Sequence, residues 1–233
     1  MRKKAKKMAA PLGHIYLALQ LLNRPFNGVN PQDFLIGTSF PDIRYPAQLP
    51  RNATHTQPVN LQLIFAEKDA FKQGMLFHSF VDQEREFYMK EHQIERLLPS
   101  LPHQNGILKG LEDQLLYPKI NDKTFIRFFD EIIFQEIEIV ENKKIIKDWH
   151  TQLQNYFFYG PTPQTIRPFV KNSIPHFGPF QGIAEKTISY GFFIGTKFIT
   201  LNEKVLEIIN KFYDTFYEEE IIKPLNLLTS SHV

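Results

Sequence analysis

Apolar residues recur along the 233-residue chain at helical rather than alternating spacing, and the runs they form are bounded by helix-stop signals. They are dense from His14 to Leu22, with Pro11 before them and Asn23 and Pro25 after, which predicts a first helix that starts and stops there. Residues 23–60 hold six prolines and many Asn, Gln and Thr, which predicts a long irregular stretch. Loops of that length are uncommon inside a compact domain. The apolar island Phe34-Leu35-Ile36-Gly37, leading into Phe40-Pro41-Asp42, predicts that this one packs on the core.

Helical periodicity returns over 60–98, with Leu61, Ile64, Phe65, Phe71, Met75, Phe77, His78, Val81 and Phe87 on the inner face, Gly74 permitting close approach and Pro99 ending the run. Further helices are predicted over 105–116, 124–141 and 149–159. In the second of these Phe125, Phe128, Phe129, Ile132, Ile133 and Ile137 form a broad buried face. Residues 160–182 carry five prolines, three glycines and three phenylalanines and read as an irregular loop, either a lid or a plain connector. Thr200 and Glu203 have capping-box spacing and open a last helix whose Val205, Ile208, Ile209, Phe212, Phe216 and Ile221 share one face. With alternating patterns scarce, the expected fold is all-α, a single multi-helix bundle of roughly six to eight helices with long irregular loops. It spans 11–228, behind a basic tail at 1–10.

Composition narrows the chemistry. The 27 basic and 25 acidic residues nearly cancel, so charge makes no case for nucleic-acid binding. The absence of cysteine excludes disulfides, thiolate zinc sites, iron–sulfur clusters and a cysteine nucleophile, and any metal must use His, Asp, Glu or backbone oxygen. No apolar run approaches the ~20 residues of a transmembrane helix. Arg2, Lys3, Lys4, Lys6 and Lys7 precede an apolar run, as in a secretory signal, but His14 and Gln20 interrupt it and no small-residue cleavage site follows. The expected location is cytoplasmic, with export as the alternative if the basic end is a signal. Those cations also allow weak contact with an anionic membrane surface, at roughly 1 kcal/mol each. Of the run Tyr156, Phe157, Phe158 and Tyr159, most are expected to pack the core rather than line a channel.

The most specific feature is the segment from Gly74 to Asp82. His78 and Asp82 lie four apart on one helical face that is otherwise Met75, Phe77 and Val81. Two ionisable groups placed there need each other, water or a metal. They read either as two ligands of one ion or as a His–Asp pair satisfied within the core. His14 interrupts an apolar helix face, Asp42 follows the apolar island and His55 sits in the proline-rich loop. Each is equally readable as a core histidine, a turn aspartate and an exposed loop histidine.

Taken in order, Gly13-His14, Gly37 through Pro41-Asp42, Thr54-His55 and Gly74 through His78 to Asp82 resemble the zinc-dependent phospholipase C family in its broad sense, over residues 12–90. The resemblance implies an all-helical domain of the phospholipase C and P1 nuclease kind. Asp42, His55, His78 and Asp82 would surround one ion, with His14 helping to bind a neighbour. It implies zinc, or manganese or iron in its place, lowering the pKa of a bound water to about 7. Asp42 would orient or deprotonate that water as the catalytic residue.

The chain departs from the family pattern after Asp82. His92, His103, His150 and His176 have no Glu four residues later, and the only Trp, Trp149, is internal, so one or two ions are expected rather than three. Glu112, at the edge of the face of Leu108, Leu111 and Leu115, is a candidate replacement ligand, whereas Asp113 reads as solvated. The expected function is a metal-dependent phosphoester hydrolase acting on a small phosphoester or a lipid. The alternative is a non-catalytic helical interaction domain with at most a structural metal. An adjacent His-Asp dipeptide, the mark of another class of helical phosphohydrolase, is absent.

Overall fold

The computed structural model describes residues 11–23, 29–98, 104–173 and 181–224, and every regular element among them is helical. The basic tail at 1–10, His103, His176 and the end of the expected domain beyond 224 lie outside the described residues. The all-α expectation holds. Eleven α-helices are present among the described residues, more than the six to eight expected, because one predicted run is broken into three and three further helices form in stretches read as irregular or left without a forecast.

The first helix, α1 (Pro11–Leu22), lies where the pattern put it. The stretch expected to be irregular instead contains α2 (Pro31–Ser39), continued by a 3-10 turn over Phe40–Arg44 and a second over Arg51–Ala53. The start signal was present in the sequence. The Asn30 side chain accepts from the backbone N–H of Gln32 at 3.0 Å, and Pro31 stands at the first helical position, where a missing N–H costs nothing. As expected, the apolar island is buried.

The 60–98 run divides into α3 (Leu61–Ala66), α4 (Ala70–Glu91) and α5 (Ile94–Leu97). The break falls at Glu67 to Asp69, where the Glu67 carboxylate takes the N–H of Lys68 and of Asp69, and Asp69 then caps α4 through the N–H of Lys72. Phe65 and Phe87, assigned to the inner face, are exposed, while Phe71, Phe77, His78 and Val81 are buried as expected. The helix α6 (Gln104–Leu116) matches its prediction closely.

The predicted helix at 124–141 is instead a 3-10 turn over Thr124–Asp130 and the short α7 (Phe134–Ile139), and only Phe125 and Phe129 of its expected face are fully buried. The following α8 (Lys143–Tyr159) starts earlier than expected, capped by Asn142. Its Tyr156 and Phe157 pack inward while Phe158 and Tyr159 are exposed. Part of the expected loop at 160–182 is α9 (Pro163–Ser173), and α10 (Gln181–Ile199) is not forecast by the pattern. The last helix, α11 (Glu203–Phe216), is capped by Asn202, which accepts from the Val205 N–H at 3.3 Å, and not by Thr200, whose hydroxyl donates to the Lys197 carbonyl. Five of the six predicted inner residues lie on it and the sixth, Ile221, in the π-helical turn over Tyr217–Ile222 that continues it, and all six are buried.

The most extensive contact in the molecule is between α2 and α4, with α1 laid across α2 and α6, and α10 bridging α6 to α9. Phe34 packs on Phe77 and Phe40 on Phe71 within the α2–α4 interface. Among the described residues no helix is long and apolar enough to cross a membrane.

Candidate metal centre

Two glycines bring α2 and α4 into backbone contact. A Cβ on Gly37 would overlap the Phe71 carbonyl, and one on Gly74 would overlap the Phe34 carbonyl, so only hydrogen fits at either position. His78, one turn beyond Gly74, thereby reaches the end of α2, where its Nδ1 donates to the Thr38 carbonyl at 2.8 Å. A carbonyl oxygen can only accept. Nδ1 therefore carries the proton and Nε2 presents a lone pair.

His55 is fixed by the same logic one step removed. The Thr54 hydroxyl donates its single proton to the Pro41 carbonyl at 3.0 Å, so in the 2.9 Å contact between Thr54 Oγ1 and His55 Nδ1 the ring nitrogen is the donor. Its Nε2, like that of His78, is buried and makes no hydrogen bond. The loop that carries His55 is clamped to α4 by two side chains one turn apart. Ser79 Oγ accepts from the Thr56 N–H at 3.2 Å, and Gln83 bonds both the N–H and the C=O of Val59.

These Nε2 atoms converge on carboxylates. Both lie 3.9 Å from Asp82 Oδ2, and His14 Nε2 lies 3.5 Å from Asp82 Oδ1. The His14 and His78 rings stack in parallel with centroids 3.9 Å apart. One potential ligand atom from each of Asp42, His55 and His78 falls within 4.8 Å of the others, and the same holds for His14, His78 and Asp82. Such separations are too long for strong hydrogen bonds. They are near the roughly 3.3 Å between two ligands that each bind a tetrahedral zinc at ~2.0–2.1 Å.

The electrostatics suit cation binding. Burial, reinforced by the nearby Arg51 guanidinium, pushes His55 down to about 3, and burial with His14 alongside holds His78 well below the ordinary imidazole range. Both rings are therefore neutral at pH 7 and able to donate a lone pair. Burial alone would raise Asp82, but the Lys109 ammonium and His14 outweigh it and hold the carboxylate well below its usual range. Asp42 is raised, by burial first and by Asp82 beside it, against the pull of Lys109.

Of the six expected ligands, five are brought together and one is not. Glu112 is fully buried in a two-pronged pair with Arg85, whose Nε donates to Oε2 at 2.7 Å and whose other prong reaches Oε1, and Tyr213 donates to Oε2 at 2.8 Å. Its acceptor sites face these three donors, and it belongs to neither ligand group. The reading of Asp113 as solvated is likewise overturned. Asp113 is buried, accepts from the Gly13 N–H at 3.0 Å and from the Tyr156 hydroxyl at 2.8 Å, and thus caps the N-terminus of the helix that carries His14. Burial raises its carboxyl to about 7. His92 bonds the Tyr88 carbonyl within its own helix and takes no part, and His150 pairs with Glu136 at 2.8 Å.

Two residues at the centre were missed from sequence. Lys109 Nζ lies 3.3 Å from Asp82 Oδ1, and an Arg51 guanidinium nitrogen lies 3.4 Å from Oδ2. A lysine embedded between Leu108 and Leu111 was the available signal for the first. Arg51, in a proline-rich loop, gave none. Asp82 is 16% exposed, and with Lys109 it opens onto a cleft of about 650 Å³ between α4, α5 and α6, so the cluster is reachable from solvent. Comparison of the chain with protein-family models, with curated proteins and with solved structures finds no match.

Proposed function

We propose that this cluster holds a divalent ion through Asp42, His55 and His78, with Asp82 and His14 beside it, and that the protein is a metal-dependent phosphoester hydrolase resembling the zinc-dependent phospholipases C. The observation that carries the reading is the pair of anchored histidines. Both Nδ1 atoms are committed as donors, and both Nε2 lone pairs are buried and unmatched beside two carboxylates. Buried polar atoms without partners are costly in a purely structural site and are natural in a ligand set. His78 is common to both ligand groups but has one lone pair to give, which favours one ion over two.

Zinc, or manganese or iron, would supply Lewis acidity toward a phosphoryl oxygen and acidify water. Asp42 would take the proton of the attacking water as the water oxygen bonds to phosphorus and the P–O bond to the leaving group breaks, and would return that proton to the leaving alkoxide oxygen to give the alcohol. The Thr38 and Thr54 contacts would keep His78 and His55 in their ligand tautomers throughout.

The zinc-loaded protein is expected to hydrolyse bis(p-nitrophenyl) phosphate or a related phosphoester, to lose that activity to a chelator and regain it with zinc. Asp42→Asn is expected to lower the rate by about 10²-fold or more, the usual contribution of a general base. Metal-dependent hydrolysis indifferent to Asp42→Asn would contradict the role given to Asp42. A protein that holds the ion yet hydrolyses none of a panel of phosphomonoesters and diesters would instead be a helical interaction domain with a structural metal.

A further inference from the structure

Two cations sit on a carboxylate of the candidate metal centre. Lys109 from α6 and Arg51 from the turn before His55 approach Asp82 on its two different oxygens, at 3.3 and 3.4 Å. Asp82 is the only acidic partner that either has among the described residues. Both contacts are long for charge-assisted hydrogen bonds, which close to about 2.7–2.9 Å when the partners are matched. The same two oxygens face the three imidazole Nε2 atoms. An ion drawing on Asp82 therefore competes with Lys109 and Arg51 for one carboxylate.

The charge balance gives that competition a consequence. Asp42 and Asp82, when both ionised, are offset by Lys109 and Arg51, and the Arg44 guanidinium also acts on Asp42, so the centre has no negative surplus before an ion enters. A divalent ion would leave it with a surplus of at least two positive charges, in a largely buried setting where screening is weak. An incoming anion neutralises that surplus without displacing protein ligands. The opening through which it would arrive is the cleft between α4, α5 and α6, where Lys109 stands beside Asp82 and the wall further along is mixed in charge, with Lys90 and Arg96 among Glu86 and Glu95.

We propose that Lys109 and Arg51 are the anion-binding residues of this centre: they hold Asp82 in the ion-free protein and turn to the non-bridging oxygens of a phosphoryl group once an ion takes that carboxylate. The inference rests on the metal-centre reading above and adds to it the substrate's required chemistry, a tetrahedral oxyanion, and the two side chains that recognise it. Arg51 offers a planar fork for two oxygens and Lys109 a point charge. The body of the substrate occupies the cleft, whose wall also includes Met89, Ile94 and Leu108 and so accepts apolar as well as polar groups.

The two roles predict opposite effects of one substitution. Lys109→Met and Arg51→Gln are each made in the full chain and titrated calorimetrically, first with zinc alone and then, zinc-loaded, with inorganic phosphate and separately with dihexanoylphosphatidylcholine below its micellar concentration. Each variant is expected to bind zinc at least as tightly as the wild type, because a competitor for Asp82 is gone. Each is expected to bind phosphate, the lipid or both at least roughly tenfold more weakly, the loss of a hydrogen bond to a charged group. Weakening confined to phosphate marks free phosphoesters as the source of the anion, and weakening confined to the lipid marks a phospholipid headgroup. Normal zinc binding with neither anion affected by either substitution would overturn this inference alone, as would weaker zinc binding in both variants. A wild-type protein that takes up no zinc would overturn the metal centre itself.

Discussion

His55 and His78 differ from the other described histidines in how their hydrogen bonds are divided. Each has one ring nitrogen anchored to the end of α2 or the turn after it, directly or through Thr54, and the other pointed at carboxylates. In His150, by contrast, Nδ1 faces the Phe129 carbonyl and Nε2 faces Glu136, so both nitrogens are taken up. Residue types and spacing singled out His78 and Asp82 but read Glu112 as a candidate ligand and Asp113 as solvated, whereas both are buried and paired. On a helix surface they are neighbours, and what decides their roles is Arg85, Tyr213, Gly13 and Tyr156, partners between 27 and 101 positions away. Asp113 carries a testable signature. Its carboxyl is raised from 3.8 to about 7, so the folded state holds a proton that the unfolded chain releases. That contribution is complete below about 3.8 and is lost as pH rises to about 7. Asp113→Asn keeps an acceptor for the Gly13 N–H and reverses the Tyr156 bond, its amide donating to the phenol oxygen, without titrating. Urea denaturation across the window should show wild-type stability falling relative to the variant as pH rises, with a constant gap above it. A gap that does not change with pH would contradict the assignment.

At the level of elements, the centre depends on how closely two helices meet. Gly37 and Gly74 belong to the same sequence elements as Asp42 and His78, and the structure supplies the reason: without them the α2 and α4 backbones could not touch and Thr38 could not reach His78. Gly74→Ala should cost about 1–3 kcal/mol through overpacking against backbone that cannot yield, and should weaken zinc binding by pushing His78 off its anchor. Gly191→Ala, in open space on α10, should leave both properties intact or stabilise slightly. A Gly74→Ala protein with wild-type stability and zinc affinity would show that the close approach is not what fixes the ring. The helices α1, α6 and α11 were legible because each carries a long periodic stripe. α2 was hidden by its prolines, although Asn30-Pro31 is a start signal, and α9 by Pro163 and Pro168. The run at 60–98 looked continuous because apolar periodicity does not register a cap such as Asp69 in the middle of it.

Across the whole molecule, the five clustered candidate ligands come from the first 82 residues, and the second half of the chain braces them. Tyr156 of α8 and Tyr213 of α11 each bond one of the adjacent acids of α6, and through Asp113 that brace extends to the start of α1, one residue from His14. The five were legible as a set only through the resemblance of their ordered motifs to the zinc-dependent phospholipase C family, since each of His14, Asp42 and His55 taken alone reads as an ordinary residue. The bracing tyrosines and Arg51 were not, since no local pattern marks a residue whose role is set by a partner so far along the chain, and Lys109 was marked only by its place between Leu108 and Leu111. The central claim is that the cluster is a metal site, and the most direct measurement is the zinc content of the purified, dialysed full chain, by elemental analysis, beside a His55→Ala/His78→Ala variant and Glu112→Gln. The account predicts about one equivalent in the wild type, in line with the single lone pair that His78 offers, loss of it in the double variant, and retention in any Glu112→Gln protein that folds. Zinc retained at the wild-type level without both histidines, or none taken up by the wild type under reloading, would contradict it.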